Sequence, residues 1–246
     1  MLSKAQNKYI RSLSQQKYRA EHGVFVVEGD KIAREWLASA AAIQHIAATA
    51  AWLQSHVNLV NEHSEAIVTE VSQDELQSIS QLQTANDVLL VVYKNKTNTS
   101  LPADEWCIAL DTLQDPGNMG TIIRIADWFG IKHIVATPDS VDYYNPKVIQ
   151  AAMGGHLRVQ LHITDVLSFV SQTNMPVYAA ALDGEDVYAL KDVQRGVLVI
   201  GNESKGISAP VLQKATRKIT IPRRGGAESL NAAVSAGILC ALLIKP

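Results

Sequence analysis

Short apolar runs alternate with amphipathic stretches along the whole chain. Leu2–Leu13 reads as a basic helix, Val24-Phe-Val-Val27 as a buried strand and Asp30–Ser39 as a helix. Strands at Ile43–Ala48, Ala66–Val71 and Val88–Tyr93, with a Ser72-capped helix through Ile79, continue the pattern. This predicts a small α/β domain of about four strands. The polar, turn-rich Lys94-Asn-Lys-Thr-Asn-Thr-Ser-Leu-Pro102 follows as a linker. A second domain alternates strand and helix over Trp106–Leu110, Thr121–Phe129, His133–Ala136, Asn145–Ala152, Asp165–Gln172, Val177–Ala181, Val197–Ile200, Ala209–Lys214, Lys218–Ile221 and Leu230–Ile244. A continuous apolar run such as Val197-Leu-Val-Ile200 is buried on both faces, which calls for a mainly parallel sheet with helices on both sides. The expected division is residues 1–95, a linker at 96–104, and residues 105–246.

A chain of 246 residues fits two domains of about 100–150 each. With 47% hydrophobic and 19% charged residues it can bury a sizeable core, which excludes a disordered chain. No apolar run nears the roughly 20 residues that span a bilayer; the alanine-rich stretch from Trp36 to Trp52 is broken by Ser39, Gln44, His45 and Thr49. The N-terminus lacks the succession of a signal peptide, so the expectation is a cytoplasmic protein without membrane contact. Cys107 and Cys240 read as buried small hydrophobes, and the seven scattered His form no metal-ligand spacing.

A net charge of −2 sits badly with nucleic-acid binding, but the charge is unevenly spread. Residues 1–20 hold Lys4, Lys8, Arg11, Lys17 and Arg19 and no acid; residues 214–224 hold Lys214, Arg217, Lys218, Arg223 and Arg224 and no acid. A charge run is ordinarily a solvated face. Two acid-free runs, one leading into a candidate site, point instead to RNA.

Three segments carry the chemistry. They are Asp111-Thr-Leu-Gln-Asp-Pro-Gly-Asn-Met-Gly-Thr-Ile-Ile-Arg124, Ile200-Gly-Asn-Glu-Ser-Lys-Gly206 and Ile219-Thr-Ile-Pro-Arg-Arg-Gly-Gly-Ala-Glu-Ser-Leu-Asn231. Each begins where an apolar strand runs into a turn, the place where open α/β folds bind ligands. In order and spacing they resemble the three motifs of the SpoU (TrmH-like) RNA ribose methyltransferases of the SPOUT superfamily. The first third of the chain, with Lys8-Tyr-Ile-Arg-Ser-Leu13, Lys17-Tyr-Arg19 and Gly23-Val-Phe-Val-Val-Glu-Gly29, is similar to the substrate-binding domain that precedes the catalytic domain in ribosomal-RNA members.

The resemblance implies a small RNA-binding domain, a SPOUT domain with a C-terminal trefoil knot, a homodimer whose site is completed across subunits, and S-adenosylmethionine as donor. The reaction it implies is methyl transfer to a ribose 2′-hydroxyl of RNA, ribosomal RNA favoured by the appended domain and transfer RNA the alternative. Arg124 takes the central catalytic position, with Asn118, Glu203, Ser229 and Asn231 around it. Deprotonating a guanidinium at pH 7 costs roughly 7 kcal/mol, so Arg124 is better read as a phosphate clamp and stabiliser of the developing alkoxide than as a literal base. Glu203 would pair with Arg124 or a nearby donor; Ser229 and Asn231 at the start of the last helix fit capping as well as catalysis. Ala181, Leu182, Gly201, Ile221 and Leu230 are the positions that would hold the donor, and Ala151-Ala-Met-Gly154 matches a segment that reaches the partner subunit. Two departures are Arg223-Arg224 where an apolar residue follows the proline in most members, and the lack of an aromatic residue before Arg158. The phosphate contacts fall to Lys4, Lys8, Arg11, Lys17, Arg19, Arg223 and Arg224.

Two other classes remain open from sequence. One is a non-enzymatic RNA-binding protein that keeps the fold, against which the intact set Asn118, Arg124, Glu203, Ser229 and Asn231 argues. The other, a dinucleotide-dependent enzyme, lacks the Gly-x-Gly-x-x-Gly turn after its first strand.

Overall fold

The computed structural model describes residues 1–94, 100–191 and 193–244. Much of the expected linker, residues 95–99, lies outside them. The described residues form two compact units: 1–94 with 142–157, and 100–141 with 158–244. Residues 142–157, assigned by sequence to the second domain, therefore pack with the first.

The first unit runs α1 (Lys4–Ser12), α2 (Gln16–His22), β1 (Val24–Glu28), α3 (Asp30–Leu37), β2 (Ile43–Ala48), α4 (Ala50–Ser55), α5 (Val57–Asn61), β3 (Ile67–Glu70), α6 (Gln73–Ile79) and β4 (Val88–Tyr93). Its sheet has the order β1-β4-β2-β3, with β4 antiparallel to both neighbours and β3 parallel to β2. The continuous apolar runs are explained by burial on both faces. Phe25, Val27, Leu90 and Val92 face Ile32, Trp36 and Trp52 on one side, while Val24, Val26, Leu89 and Val91 face Ile10, Leu13, Leu76 and Ile79 on the other. Full burial of Ile10 and Leu13 contributes about 1.5–3 kcal/mol each and holds α1 on the sheet.

Local chemistry sets the boundaries. Capping boxes start α1 (Ser3 with Gln6) and α6 (Ser72 with Glu75). Gly29, at φ 101°, turns β1 into α3 in a conformation that an L side chain rarely adopts. Helices α2, α4 and α5 were not expected; they are short and owe their place to tertiary packing, Arg19, Trp52 and Val60 being their buried anchors.

The second unit runs β5 (Cys107–Asp111), α7 (Pro116–Trp128) and β6 (His133–Ala136), loses α8 (Pro146–Ala152) to the first unit, and resumes with β7 (Gln160–Ile163), α9 (Val166–Gln172), β8 (Val177–Asp186), β9 (Val197–Gly201), α10 (Ala209–Lys214), β10 (Arg217–Thr220) and α11 (Ala232–Leu243). Six strands in the order β10-β8-β9-β5-β6-β7 pair in parallel throughout, as the buried runs required. One face is closed by Phe169, Val170 and Val211 of α9 and α10. Strand β7 was not expected, because it alternates on an edge and exposes Ile163. Both cysteines are free and buried, and burial pushes the Cys240 thiol up to about 12. Among the described residues no helix is long and apolar enough to cross a membrane.

Candidate active site

Sheet order decides which loops meet. Strands β5 and β9 are neighbours, with Asp111 opposite Gly201, so the turns that follow them leave the same edge side by side. Helix α7 starts at Pro116, not at Thr121: Asp115 caps it by accepting from Asn118 N at 2.8 Å, and proline fills its first turn. Asn118 thereby lies in the first turn, buried, and Arg124 nearly two turns further on.

The Asn118 amide is the junction of all three motifs. Its Nδ2 donates to Glu203 Oε1 at 3.0 Å, and its Oδ1 accepts from Asn231 Nδ2 at 2.8 Å. Only this orientation makes both contacts hydrogen bonds, since a flipped amide would face oxygen to carboxylate. Glu203 also accepts from Asp115 N at 3.0 Å and Gln114 N at 3.3 Å. Burial raises its pKa, but the Asn118 side chain and the backbone N–H groups outweigh that and hold the carboxyl below its ordinary value. Asn231 Oδ1 caps α11 through Ala233 N and Val234 N, so the last helix begins at Ala232 with Leu230 ahead of it. Glu203 pairs with Asn118 and two backbone amides, not with Arg124.

The loops after β9 and before α11 border a cleft of about 840 Å³. Ala181, Leu182, Gly201, Ile221 and Leu230 all line it, together with Glu203, Ser229, Asn231, Arg223 and Arg224. Asn118 and Arg124 do not. Arg124 is exposed on α7, and among the described residues nothing is hydrogen-bonded or ion-paired to its guanidinium. The wall Gly201–Gly206 is tightly folded: a methyl on Gly201 would lie 2.2 Å from the Gly206 carbonyl carbon.

The basic residues separate into two kinds. Lys4, Lys8 and Arg11 share one face of α1 and line a shallow groove of about 330 Å³ with Leu2 and Asn7. Lys17 is exposed, its ammonium 4.6 Å from the Tyr18 ring centre. Arg19 is not available to RNA: it is 1% exposed, donates to Asp142 Oδ2 from Nη2 at 2.5 Å and Nε at 3.0 Å, and from Nη1 to the carbonyls of Leu13 and Ser14. The acid-free run 214–224 is also less positive in space than in sequence, because β8 brings Asp183 to Lys218 (3.1 Å) and Glu185 to Arg217 (3.6 Å). Arg223 and Arg224 remain exposed at the cleft.

Sequence reasoning missed Thr112, Gln114, Asp115 and the side chain of Asn202. Thr112 stands at φ 61°, and Asn202 donates to its carbonyl at 2.9 Å. Asn202 followed by Glu-Ser-Lys-Gly is the composition of a side-chain-closed turn, a signal that was there to be read.

Comparison with known proteins bears directly on this geometry. Residues 105–241 match the model of the SpoU rRNA methylase family, and residues 4–90 that of the MRM3-like substrate-binding domain. A 23S rRNA (guanosine-2′-O)-methyltransferase of Bacillus subtilis is 27% identical over 93% of this chain and 92% of its own. Among solved structures, an RNA methyltransferase assigned to the TrmH family from Porphyromonas gingivalis is 35% identical, with a TM-score of 0.87 over 99% of this chain and 98% of its own. An rRNA methyltransferase of Sinorhizobium meliloti, solved with S-adenosylmethionine bound, is 26% identical, with a TM-score of 0.88 over 99% and 96%.

The cleft suits such a donor. Leu182, 76% exposed, and Leu230, 49% exposed, leave apolar surface on its walls for a planar base to cover, beside backbone amides and carbonyls at the strand ends for its polar groups. With the matched span covering more than half of its length, the chain belongs to the SpoU rRNA methylase family, whose methyl donor is S-adenosylmethionine.

Proposed function

We propose that the protein methylates a ribose 2′-hydroxyl of RNA, ribosomal RNA in preference to transfer RNA. The observation that carries this is the Glu203–Asn118–Asn231 chain of hydrogen bonds, which ties the two loops that line the cleft, after β9 and before α11, to the start of α7. The family enzymes use RNA and S-adenosylmethionine, and the relative named above, which acts on a 2′-oxygen of 23S rRNA, matches nearly end to end.

When bound, the donor supplies a methyl group already activated by a positive sulfonium. The protein's part is to align the hydroxyl with it and to stabilise the negative charge that grows on the attacking oxygen. Arg124, exposed and without a hydrogen-bond or ion-pair partner among the described residues, is the group to hold a phosphate and that oxygen. Glu203 is held by three donors and keeps its charge, so it acts as a strut and not as a proton carrier. Asn118 and Asn231 keep the loops in register, and Ser229 offers a hydroxyl from the cleft wall. Ala181, Leu182, Gly201, Ile221 and Leu230 hold the donor; Lys4, Lys8, Arg11, Lys17, Arg223 and Arg224 take the phosphates.

A homodimer belongs to this reading. Trp128 of α7 and Val234 of α11 are 84% and 51% exposed, apolar surface that a second copy would cover. A trefoil-knotted C-terminal region and a cytoplasmic site of action go with it.

The test is transfer of labelled methyl from S-adenosylmethionine to unmodified ribosomal and transfer RNA by the native protein and by Arg124→Ala. Label that maps to a ribose of ribosomal RNA and falls at least about 100-fold in the variant is the expected result. Label in transfer RNA alone would reassign the substrate. Donor binding without transfer to either pool would favour an RNA-binding protein that has kept the fold.

A further inference from the structure

The turn after β9 is closed by one side chain. Asn202 Oδ1 accepts from Ser204 N and Lys205 N, both at 3.0 Å, while its backbone exchanges hydrogen bonds with Gly206 at 3.0 and 2.9 Å. These contacts stay within the turn. The remaining one leaves it: Nδ2 donates to the carbonyl of Thr112, at the end of β5.

Thr112 is an unusual acceptor. At φ 61° it occupies the left-handed region, where a β-branched residue is a genuine outlier. Its N–H is fixed to Thr137 Oγ1 at 2.9 Å, and the preceding Asp111, 5% exposed, accepts from Ser208 N at 2.7 Å. The residues around Thr112 thus hold its peptide in one orientation, with the carbonyl turned to Asn202. Next to Asn202 comes Glu203, whose carboxylate reaches back to Gln114 N and Asp115 N, two and three residues beyond Thr112.

We propose that Asn202 is a positioning residue: by donating to the left-handed Thr112 it pins the 201–206 wall of the cleft to the end of β5 and so sets where Glu203 and the methyl donor sit. The inference rests on the assignment of the cleft to the donor. It assigns Asn202 no contact with the reacting atoms.

Two substitutions separate this role from simple turn closure. Asn202→Asp keeps an acceptor for Ser204 and Lys205, replaces the donor to Thr112 with an opposing oxygen, and adds a negative charge beside Glu203. Asn202→Ala removes both. Calorimetry with S-adenosylhomocysteine should show Asn202→Asp weakened about tenfold, as much as Asn202→Ala. The Michaelis constant for the donor should rise with it, while RNA affinity and melting temperature stay near native. Without any ligand, exchange of the Gln114 and Asp115 amides should quicken about tenfold. Native affinity and native amide protection in Asn202→Asp, with losses confined to Asn202→Ala, would overturn the proposal. Failure of the native protein to bind S-adenosylhomocysteine would count against the cleft assignment, while the ligand-free exchange would still decide on Asn202.

Discussion

Asn118 Nδ2 lies 3.0 Å from Glu203 Oε1, and this contact joins the loop after β5 to the loop after β9. Because the same amide accepts from Asn231, the loop before α11 is bound into the arrangement as well. Three residues that motif matching places in catalysis direct their polar atoms at one another. Such a network is costly to leave half made, and fully made it fixes one geometry. Arg124, which has no hydrogen-bond or ion-pair partner among the described residues, is left to meet substrate, and its placement on α7 follows from amides that need not touch the RNA.

Glu203→Gln should therefore lose more than a charge. Gln carries one acceptor oxygen where the carboxylate serves three donors, so at least one N–H is left facing an NH₂ group. A fall of about 2–4 °C in melting temperature for each kcal/mol lost is expected at neutral pH, with methyl transfer reduced at least about tenfold. The folded-state pKa of Glu203 lies below its unfolded value of about 4.5, so its contribution is present above that pH and is lost as the pH falls through the folded value. The gap between native and variant should hold constant from pH 8 to about 5 and close in stronger acid. A gap that widens on acidification would contradict the hydrogen-bonded carboxylate.

His156 makes the range from about pH 6.5 down to 4 informative. It is 7% exposed, donates from Nε2 to the Tyr143 carbonyl at 2.8 Å, and burial lowers its pKa to about 4 from an ordinary 6.5. The unfolded chain takes up that proton first, so stability is full above about pH 6.5 and declines as the pH falls toward 4. By pH 5 the native protein should have lost about 2 kcal/mol more than His156→Gln relative to pH 7.5. Hydrogen exchange of the β1 amides reads the first unit alone. Equal pH dependence in the two proteins would show that His156 does not carry it.

Arg19 belongs to the same unit and was read from sequence as an RNA contact. Its guanidinium and the Asp142 carboxylate are 2% and 8% exposed, so removing one leaves the other buried and unpaired. Arg19→Met should cost about 3–5 kcal/mol, and adding Asp142→Asn should return part of it. RNA affinity, measured at a temperature where every variant is folded, should not change. A selective loss of RNA binding without loss of stability would restore the surface role.

The difference between what could and could not be read follows from where each signal lies. Strands β1, β4 and β9 were legible because both of their faces are buried, which writes an unbroken apolar run into adjacent positions. The start of α7 was not, since Gly117 and Gly120 argue against helix while Asp115 and Pro116 argue for it, and the cap wins. Arg19 could not be read at all: its partner stands 123 residues later, in a segment that sequence assigns to the other domain. The cleft residues were legible as motifs, but the contact from Asn202 to the left-handed Thr112 was not, because a left-handed conformation is not inferred from a β-branched residue.

Salt dependence offers the sharpest check on which cations face RNA. Each phosphate neutralised contributes about 0.7–0.9 to the slope of log affinity against log salt. Lys8→Ala and Arg11→Ala, on the groove face of α1, should each lower that slope by about one contact and weaken different RNAs alike. Lys218→Ala should leave it nearly unchanged, because Asp183 already offsets that charge 3.1 Å away, and Arg217→Ala should behave the same beside Glu185. Should Lys218→Ala match Lys8→Ala, the β8 acids do not hold their partners in solution and the whole 214–224 run faces RNA. Should Lys8→Ala leave the slope untouched while Arg223→Ala lowers it, phosphate contact is confined to the cleft and α1 is a solvated helix face.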